Sequence, residues 1–499
     1  MGNFHSRSPS REPLPSGQQV MDVIDPTDES PRRGRKRKSD KLNEMETKKV
    51  AKLNTCAYVY QKLFIQGEDS DIIIAACGRE WKAHKLYLKQ TKYFESMFDG
   101  VWAESKSGRV DMEITDSNID ADGLNAVLGS LYHNEIEIDL DKIEGIVAAA
   151  SYIVLDSVIE RCAEMMIEAL STNNAVRYYE LSTRYGLDIV RSKSMELLLH
   201  QFWKLMTDRE KLRELDENLL ITLLTSPNLF IIEGEYDLYK TLKWWIYMKE
   251  RPDSKIDQKP EEFNQVVTRF IQEFAGSGAL FLKYSNIISH LRMEKILTSS
   301  ESIKTVKSDG LIPGAIIDEM TSDLWVSLLQ CEENPKSLEI EDSEFFRRCY
   351  RLGRTLDSFP KCWRWLGYNF GVDLLLHVSD YSVIIKRNCL NQKVPFSVNL
   401  KSKHLLHYRL VICDSKGRIY FDSGKSTWEM KPDDAKTICR LNENISTPIS
   451  VHFQYLIHKP IDTSIFIKKY VRERNMSLGE DEDNEDEECD EDEEEEEYE

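Results

Sequence analysis

The stretch from which the fold is read is Asp69-Ser70-Asp71-Ile72-Ile73-Ile74-Ala75-Ala76-Cys77-Gly78-Arg79-Glu80-Trp81-Lys82-Ala83-His84-Lys85. Ile72 to Ala76 is a short apolar run suited to a buried strand, and Gly78 within Cys77 to Glu80 marks a hairpin turn into a second strand at Trp81. Leu88, Phe94, Met97 and Phe98 follow at helix-compatible intervals, while Val110, Met112 and Ile114 alternate with charged residues as a half-exposed strand does. Leu124, Val127, Leu128, Leu131 and Tyr132 mark one face of another helix, and Ile136 to Leu140 reads as a further strand. A small α/β unit is expected here.

Three ordered segments, Asp69 to Ile74, Trp81 to Lys85 and Tyr93 to Phe98, resemble the core of a BTB domain. The resemblance implies an interaction module and a homodimer. In such dimers the helix before Asp71, apolar at Val59, Leu63 and Phe64, lies against the partner chain. Asp71 and Lys85 match the charged-pocket positions of that family, where an Arg is common at the second. Trp102-Ala103-Glu104 resembles the hydrophobic-x-Glu motif by which adaptor BTB domains contact cullin-3, so Trp102 and Glu104 are the expected contacts, with Phe98 supporting their loop.

The net charge of -20 is concentrated at one end: the last twenty residues, from Glu480, hold seventeen Asp or Glu and no Lys or Arg, which leaves -20 - (-17) = -3 for the rest. A block of like charges reads as a self-repelling, solvated tail. No run approaches the ~20 apolar residues of a spanning helix, and the N-terminus lacks an apolar signal-peptide core. The ten cysteines form no Cys-x-x-Cys pair, so neither a zinc ribbon nor a dithiol motif is indicated. Phosphate-cradling Gly-rich loops, His-Glu-x-x-His and Gly-x-Ser-x-Gly are all absent, and His84, His404, His407 and His452 stand apart from partner residues. A non-catalytic protein without cofactor or metal is expected.

Met1-Gly2-Asn3-Phe4-His5-Ser6 fits the pattern for myristoylation of Gly2. One acyl chain holds a membrane only marginally, so a second signal is needed. Arg32, Arg33, Arg35, Lys36, Arg37 and Lys38 form a dense basic run in a Ser-, Pro- and charge-rich segment. It can serve nuclear import, an anionic-lipid contact or plain solvation, and import is the reading taken. Direct nucleic-acid binding is not expected, because no aromatic residues are interleaved with the run and the rest of the chain is not basic.

From Ile143 the pattern becomes helical, with Gly186 placed as a C-cap. Ser226-Pro227-Asn228-Leu229-Phe230 with Asp237, Leu238, Tyr239, Leu242 and Trp244-Trp245 resembles the BACK domain that follows BTB in many adaptors, and the two Trp are expected in its core. Beyond Pro313 strands are expected at Val372 to Val378, Ser382 to Lys386, Tyr408 to Cys413, Ile419 to Phe421 and Ile449 to Ile457. No Gly-Gly doublet or repeat at ~45 to 50 residues suggests a propeller.

The run Cys362 to Leu375, with Lys386-Arg387-Asn388-Cys389-Leu390-Asn391-Gln392, closely resembles the C-terminal region of germ cell-less proteins. That family resembles BTB-BACK adaptors for cullin-3 ubiquitin ligases acting at the nuclear envelope in germ-cell formation. The resemblance covers nearly the whole chain except the acidic tail.

The organisation expected is multidomain α+β. It comprises a tail over 1–54, BTB over 55–170, helical BACK over 171–300, a linker with helix over 301–345, a β-rich domain over 346–472 and an unstructured acidic tail over 473–499. Arg364, Lys386 and Arg387 are the candidates for reading a protein substrate. The partners implied are cullin-3, a second copy, a substrate and nuclear-envelope or membrane proteins. Nucleus and nuclear envelope are the expected sites, with the plasma membrane reached through a Gly2-linked lipid. The alternative is a nuclear-envelope or transcription-associated tether without a ligase role.

Overall fold

The computed structural model describes residues 56–99, 108–133, 135–333, 340–365, 372–379, 382–388, 403–441, 447–457, 459 and 461–488. Gly2, the basic run Arg32 to Lys38, Trp102 and Glu104 lie outside the described residues.

β1 (Ile72–Ala76) and β2 (Arg79–Ala83) form the expected hairpin, Ile72 opposite Ala83 and Ala76 opposite Arg79. Cys77 and Gly78 both take positive φ, 49° and 72°, the turn handedness that matches strand twist. β3 (Arg109–Asp111) joins β1 in parallel, Val110 beside Ile74. The helices Ala121–His133 and Ile143–Tyr152 bring Leu124, Val127 and Val147 into one core with Ile72, Ile74 and Trp81. The Trp81 indole N–H donates to Asn125 Oδ1 at 3.0 Å, so its polar edge is satisfied within the core. Ile136 to Leu140 is no strand: Ile136 and Ile138 are half-buried between exposed neighbours, but no ladder partner runs beside them among the described residues. Alternation supplies a face to pack, and a strand also needs a neighbour for its backbone groups.

The helix Ala175–Tyr185 belongs to two cores at once. Tyr178 and Leu181 complete the first, while Ala175 and Val176 start that of the helical domain. Gly186 ends it at φ 71°, as expected of a C-cap. Trp245 is buried with its indole donating to the Leu215 carbonyl at 2.9 Å, and Trp244 donates to Asn264 Oδ1 at 2.6 Å, so both are structural. The segment 301–345, expected as a linker with helix, holds two helices over its described part up to Glu333. The helices Ser300–Asp309 and Gly314–Glu333 place Val306, Ile317 and Met320 in the helical core, joined by Ile312 from the connection between them, and their polar exposed faces had concealed these residues. The helix Ser464–Glu488 also returns there through Ile467 and runs on into the segment expected to be unstructured. A helix seeded by packed residues extends at little further cost.

The C-terminal strands are β4 (Tyr350–Leu356), β5 (Lys361–Trp365), β6 (Asp373–Val378), β7 (Ser382–Asn388), β8 (His404–Asp414), β9 (Ile419–Asp422), β10 (Ser426–Met430), β11 (Ala435–Arg440) and β12 (Ile449–Leu456). One sheet has the order β10-β8-β12-β4 with β9 also on β8; the other runs β11-β7-β6-β5. Leu352, Leu410, Val451 and Phe453 from the first meet Leu374, Leu376, Val383 and Ile385 from the second in one core, a sandwich of two layers. The outer face of the first sheet lies on the helical domain, so β12 is buried on both faces. At that contact Gly353 has no room for a side chain: a Cβ would sit 2.3 Å from the Ile231 carbonyl oxygen.

Candidate functional site

Two kinds of surface are built on this frame, one on the first domain and one where helices meet sandwich. The first domain opens with the helix Cys56–Val59, continued by a π-helical turn Tyr60–Ile65. Phe64 turns inward, its ring 5.2 Å from Tyr132 and 5.4 Å from Tyr60, so it packs in the chain's own core. Val59 and Leu63 are half-buried. Tyr58 and Ile65, 68% and 52% exposed, are the large apolar residues this element presents to solvent.

Asp71 and Lys85 are brought together: the Lys85 backbone N–H donates to Asp71 Oδ1 at 2.8 Å. Because Lys85 starts the helix Lys85–Leu88, this carboxylate caps it from another element. The Lys85 ammonium lies 5.5 Å from the Phe98 ring centre, and Phe98 stacks on Phe94 at 5.8 Å. Phe98 thus fixes the end of the helix Lys92–Asp99.

On the sandwich, the three proposed readers fare differently. Arg387 is fully buried and donates to the Met430 carbonyl at 3.1 Å, so it cannot meet a target. Arg364 is held to Asp373 Oδ2 at 2.7 Å, and the same oxygen accepts from Asn388. Lys386 remains partly exposed, 4.0 Å from Asp433.

The seam between helical domain and sandwich is polar. Glu235 accepts from Arg351 Nε at 2.7 Å and Nη2 at 3.0 Å, with both side chains fully buried. Arg292 Nη2 donates to the Phe346 carbonyl at 2.8 Å, and Arg409 Nη1 to Asn228 Oδ1 at 2.8 Å. Phe230 is stacked between His200, at 4.9 Å, and His452, at 4.3 Å. Burial holds His452 neutral, with its pKa pushed down to about 3. Beside the seam lies a groove of about 540 Å³ lined by Pro227, His290, Phe346, Arg347, Ser464 and Lys468 among others. These residues come from distant segments, so no local spacing announces them.

Among the described residues no group of three or more His, Cys, Asp or Glu is placed to hold a metal ion, and no helix is long and apolar enough to cross a membrane.

Residues 60–170 match the BTB/POZ domain family, so the chain carries a BTB domain. Its sequence is 33% identical over 419 residues to Germ cell-less protein-like 1 of Mus musculus, covering 81% of this chain and 79% of that one. It is also 26% identical over 479 residues to Protein germ cell-less of Drosophila melanogaster, covering 87% and 84%. The chain belongs to the germ cell-less family. Similarity to Kelch repeat and BTB domain-containing protein 2 of Homo sapiens, 25% over 191 residues, covers only 38% of this chain.

Proposed function

We propose that this protein is the substrate-recognition adaptor of a cullin-3 ubiquitin ligase, dimeric through BTB, non-catalytic itself and acting at the nuclear envelope in germ-cell formation. The observation that carries this reading is the continuous, directionally bonded path from BTB domain to sandwich. The helix Ala175–Tyr185 shares both helical cores, and the buried Glu235–Arg351 pair locks the sandwich beyond them. An adaptor must hold target and ligase at a fixed separation, and a path of this kind supports that reading. The helix Lys92–Asp99, braced by Phe98, leads directly into the segment carrying Trp102 and Glu104. A large apolar anchor beside a carboxylate suits a partner groove.

A tethering protein without a ligase role is the second reading, favoured by the Met1-Gly2 start and the basic run Arg32 to Lys38, which serve anchoring and import whether or not ubiquitin is transferred. The experiment that separates the two is Trp102→Ala with Glu104→Lys. Loss of a central anchor typically costs roughly 2 kcal/mol or more, so co-purification with cullin-3 is expected to fall well over tenfold while circular dichroism stays unchanged. A folded double variant that still binds cullin-3 with full affinity would sink the docking assignment and leave the tether.

A further inference from the structure

The groove beside the seam has an uneven charge distribution. Its floor cations are committed: Arg292 to the carbonyls of Phe346 and Cys349, Arg348 to the Ile461 carbonyl and the Asp462 carboxylate. Arg347, at the end of the helix Asp342–Arg348, and Lys468, in the first turns of Ser464–Glu488, are different. Both are exposed, and among the described residues neither has an ion-pair or hydrogen-bond partner. The lining carboxylates do not offset them. Asp462 is taken by Arg348, while Glu294 is buried below the mouth, where it accepts from Thr463 Oγ1 at 2.8 Å and burial raises its pKa. The mouth is therefore locally cationic in a chain of net charge -20.

Among polar lining residues the groove also carries Pro227, which is exposed, and Phe346, which is half-buried. Pro227 is also fixed, since its carbonyl accepts from Gln454 Nε2 of β12 at 2.8 Å. The volume, about 540 Å³, lies within the range of roughly 300–1,000 Å³ usual for ligand sites, and such sites favour domain junctions. Two uncompensated cations in one groove with two apolar lining residues select an anionic partner that also carries an apolar side chain. The helix that leaves the groove at Ser464 carries the chain through Glu488, 25 residues and about 37 Å at 1.5 Å per residue.

We propose that this groove docks an acidic segment of the target protein, with carboxylates on Arg347 and Lys468 and an apolar side chain against Pro227 and Phe346. The proposal rests on the adaptor reading and moves target capture from the exposed face of the sandwich to its junction with the helical domain.

The test uses the full chain and a fluorescein-labelled ten-residue peptide of alternating Glu and Leu, followed by anisotropy, with an alternating Lys and Leu peptide as control. The Glu peptide is expected to bind in the micromolar range, more weakly as salt rises, and at least tenfold more tightly than the control. Arg347→Glu with Lys468→Glu should lower its affinity by more than tenfold. Both positions are exposed, so the far-ultraviolet circular dichroism of the variant should match wild type. No binding by wild type, equal binding of both peptides, or unchanged affinity in the double variant would each overturn the proposal. Cullin-3 co-purification, followed in parallel, keeps the two readings separate: a double variant that loses the peptide and keeps the cullin supports both, and a wild type that binds the peptide without cullin leaves the groove standing alone.

Discussion

In the BTB domain burial falls to Ile72, Ile74, Trp81, Leu124 and Val147, whereas at the seam between helical domain and sandwich it falls to Glu235, Arg292, Arg351 and His452. Apolar burial is non-directional and scales with area, so a core of Ile, Leu and Val accepts small shifts and exchanges of shape. A guanidinium that must give two hydrogen bonds to one carboxylate accepts a single geometry. The first region needs stability and the second needs a fixed angle between two folded bodies. Their chemistries follow that division.

The largest effect is expected where directionality is greatest. Replacing Glu235 by Gln, or Arg351 by Met, leaves the other member charged and buried, which typically costs about 3–5 kcal/mol. Denaturant unfolding should register that loss, and limited proteolysis should release the sandwich from the helices. The double variant Glu235→Met with Arg351→Met removes both charges of the pair and should recover part of the stability, the remainder being withheld by the buried Arg292 guanidinium, which loses the Glu235 carboxylate 3.9 Å away. If the single variants lose less than ~1 kcal/mol, the seam is held by apolar area like the BTB core, and the contrast fails.

A smaller effect separates the two regions by pH. His452 is buried with its pKa pushed down to about 3 from 6.5. The unfolded chain takes up a proton below 6.5 and the folded chain does not, so the stability held through neutral His452 is fully present above that pH and is lost as pH falls towards 3. The slope is at most about 1.4 kcal/mol per pH unit. His200, on the opposite face of Phe230, is shifted downward by burial as well and adds in the same direction. Proteolytic release of the sandwich is therefore expected to rise between pH 6.5 and pH 4, and His452→Phe should flatten that rise. An unaltered pH profile in His452→Phe would place the sensitivity elsewhere.

The hairpin Ile72 to Ala83 was legible because every contact that forms it is local: an apolar run, a Cys77-Gly78 turn and a second run. What the sequence withheld depends on distant partners. Ile449, Val451, Phe453, Tyr455 and Ile457 alternate as in a half-exposed strand, yet Ser450, His452 and Gln454 are buried too, because the helical domain supplies Phe230 and the Pro227 carbonyl to that face.

Arg387 shows a signal that was present and outweighed by its charge. It shares the period-two face of Val383 and Ile385, which points into the sandwich, while Lys386 lies on the other face. β10 and β11 were missed because Thr427, Trp428 and Cys439 are sparse among charged neighbours on edge strands. The groove is farthest from legibility, since Pro227, Arg347 and Lys468 converge only after three separate segments have packed.

The smallest effect concerns Asp71, and it bears on whether the BTB surface is chain-internal or shared. Asp71 is exposed, and its one oxygen accepts the N–H of Lys85 at 2.8 Å. A cap of this kind is worth ~1 kcal/mol, far below the buried pair at the seam because water can replace it. In Asp71→Ala the Lys85 amide should exchange with solvent severalfold faster, the melting temperature should drop by a few degrees and the mass by light scattering should stay that of a dimer. The opposite pattern, an unchanged Lys85 amide with dissociation to a monomer at micromolar concentration, would show that the carboxylate faces a partner chain. Directional bonding would then govern the BTB contact as it does the seam, and the division between the two regions would lie at the surface of the BTB domain, with apolar burial confined to its interior.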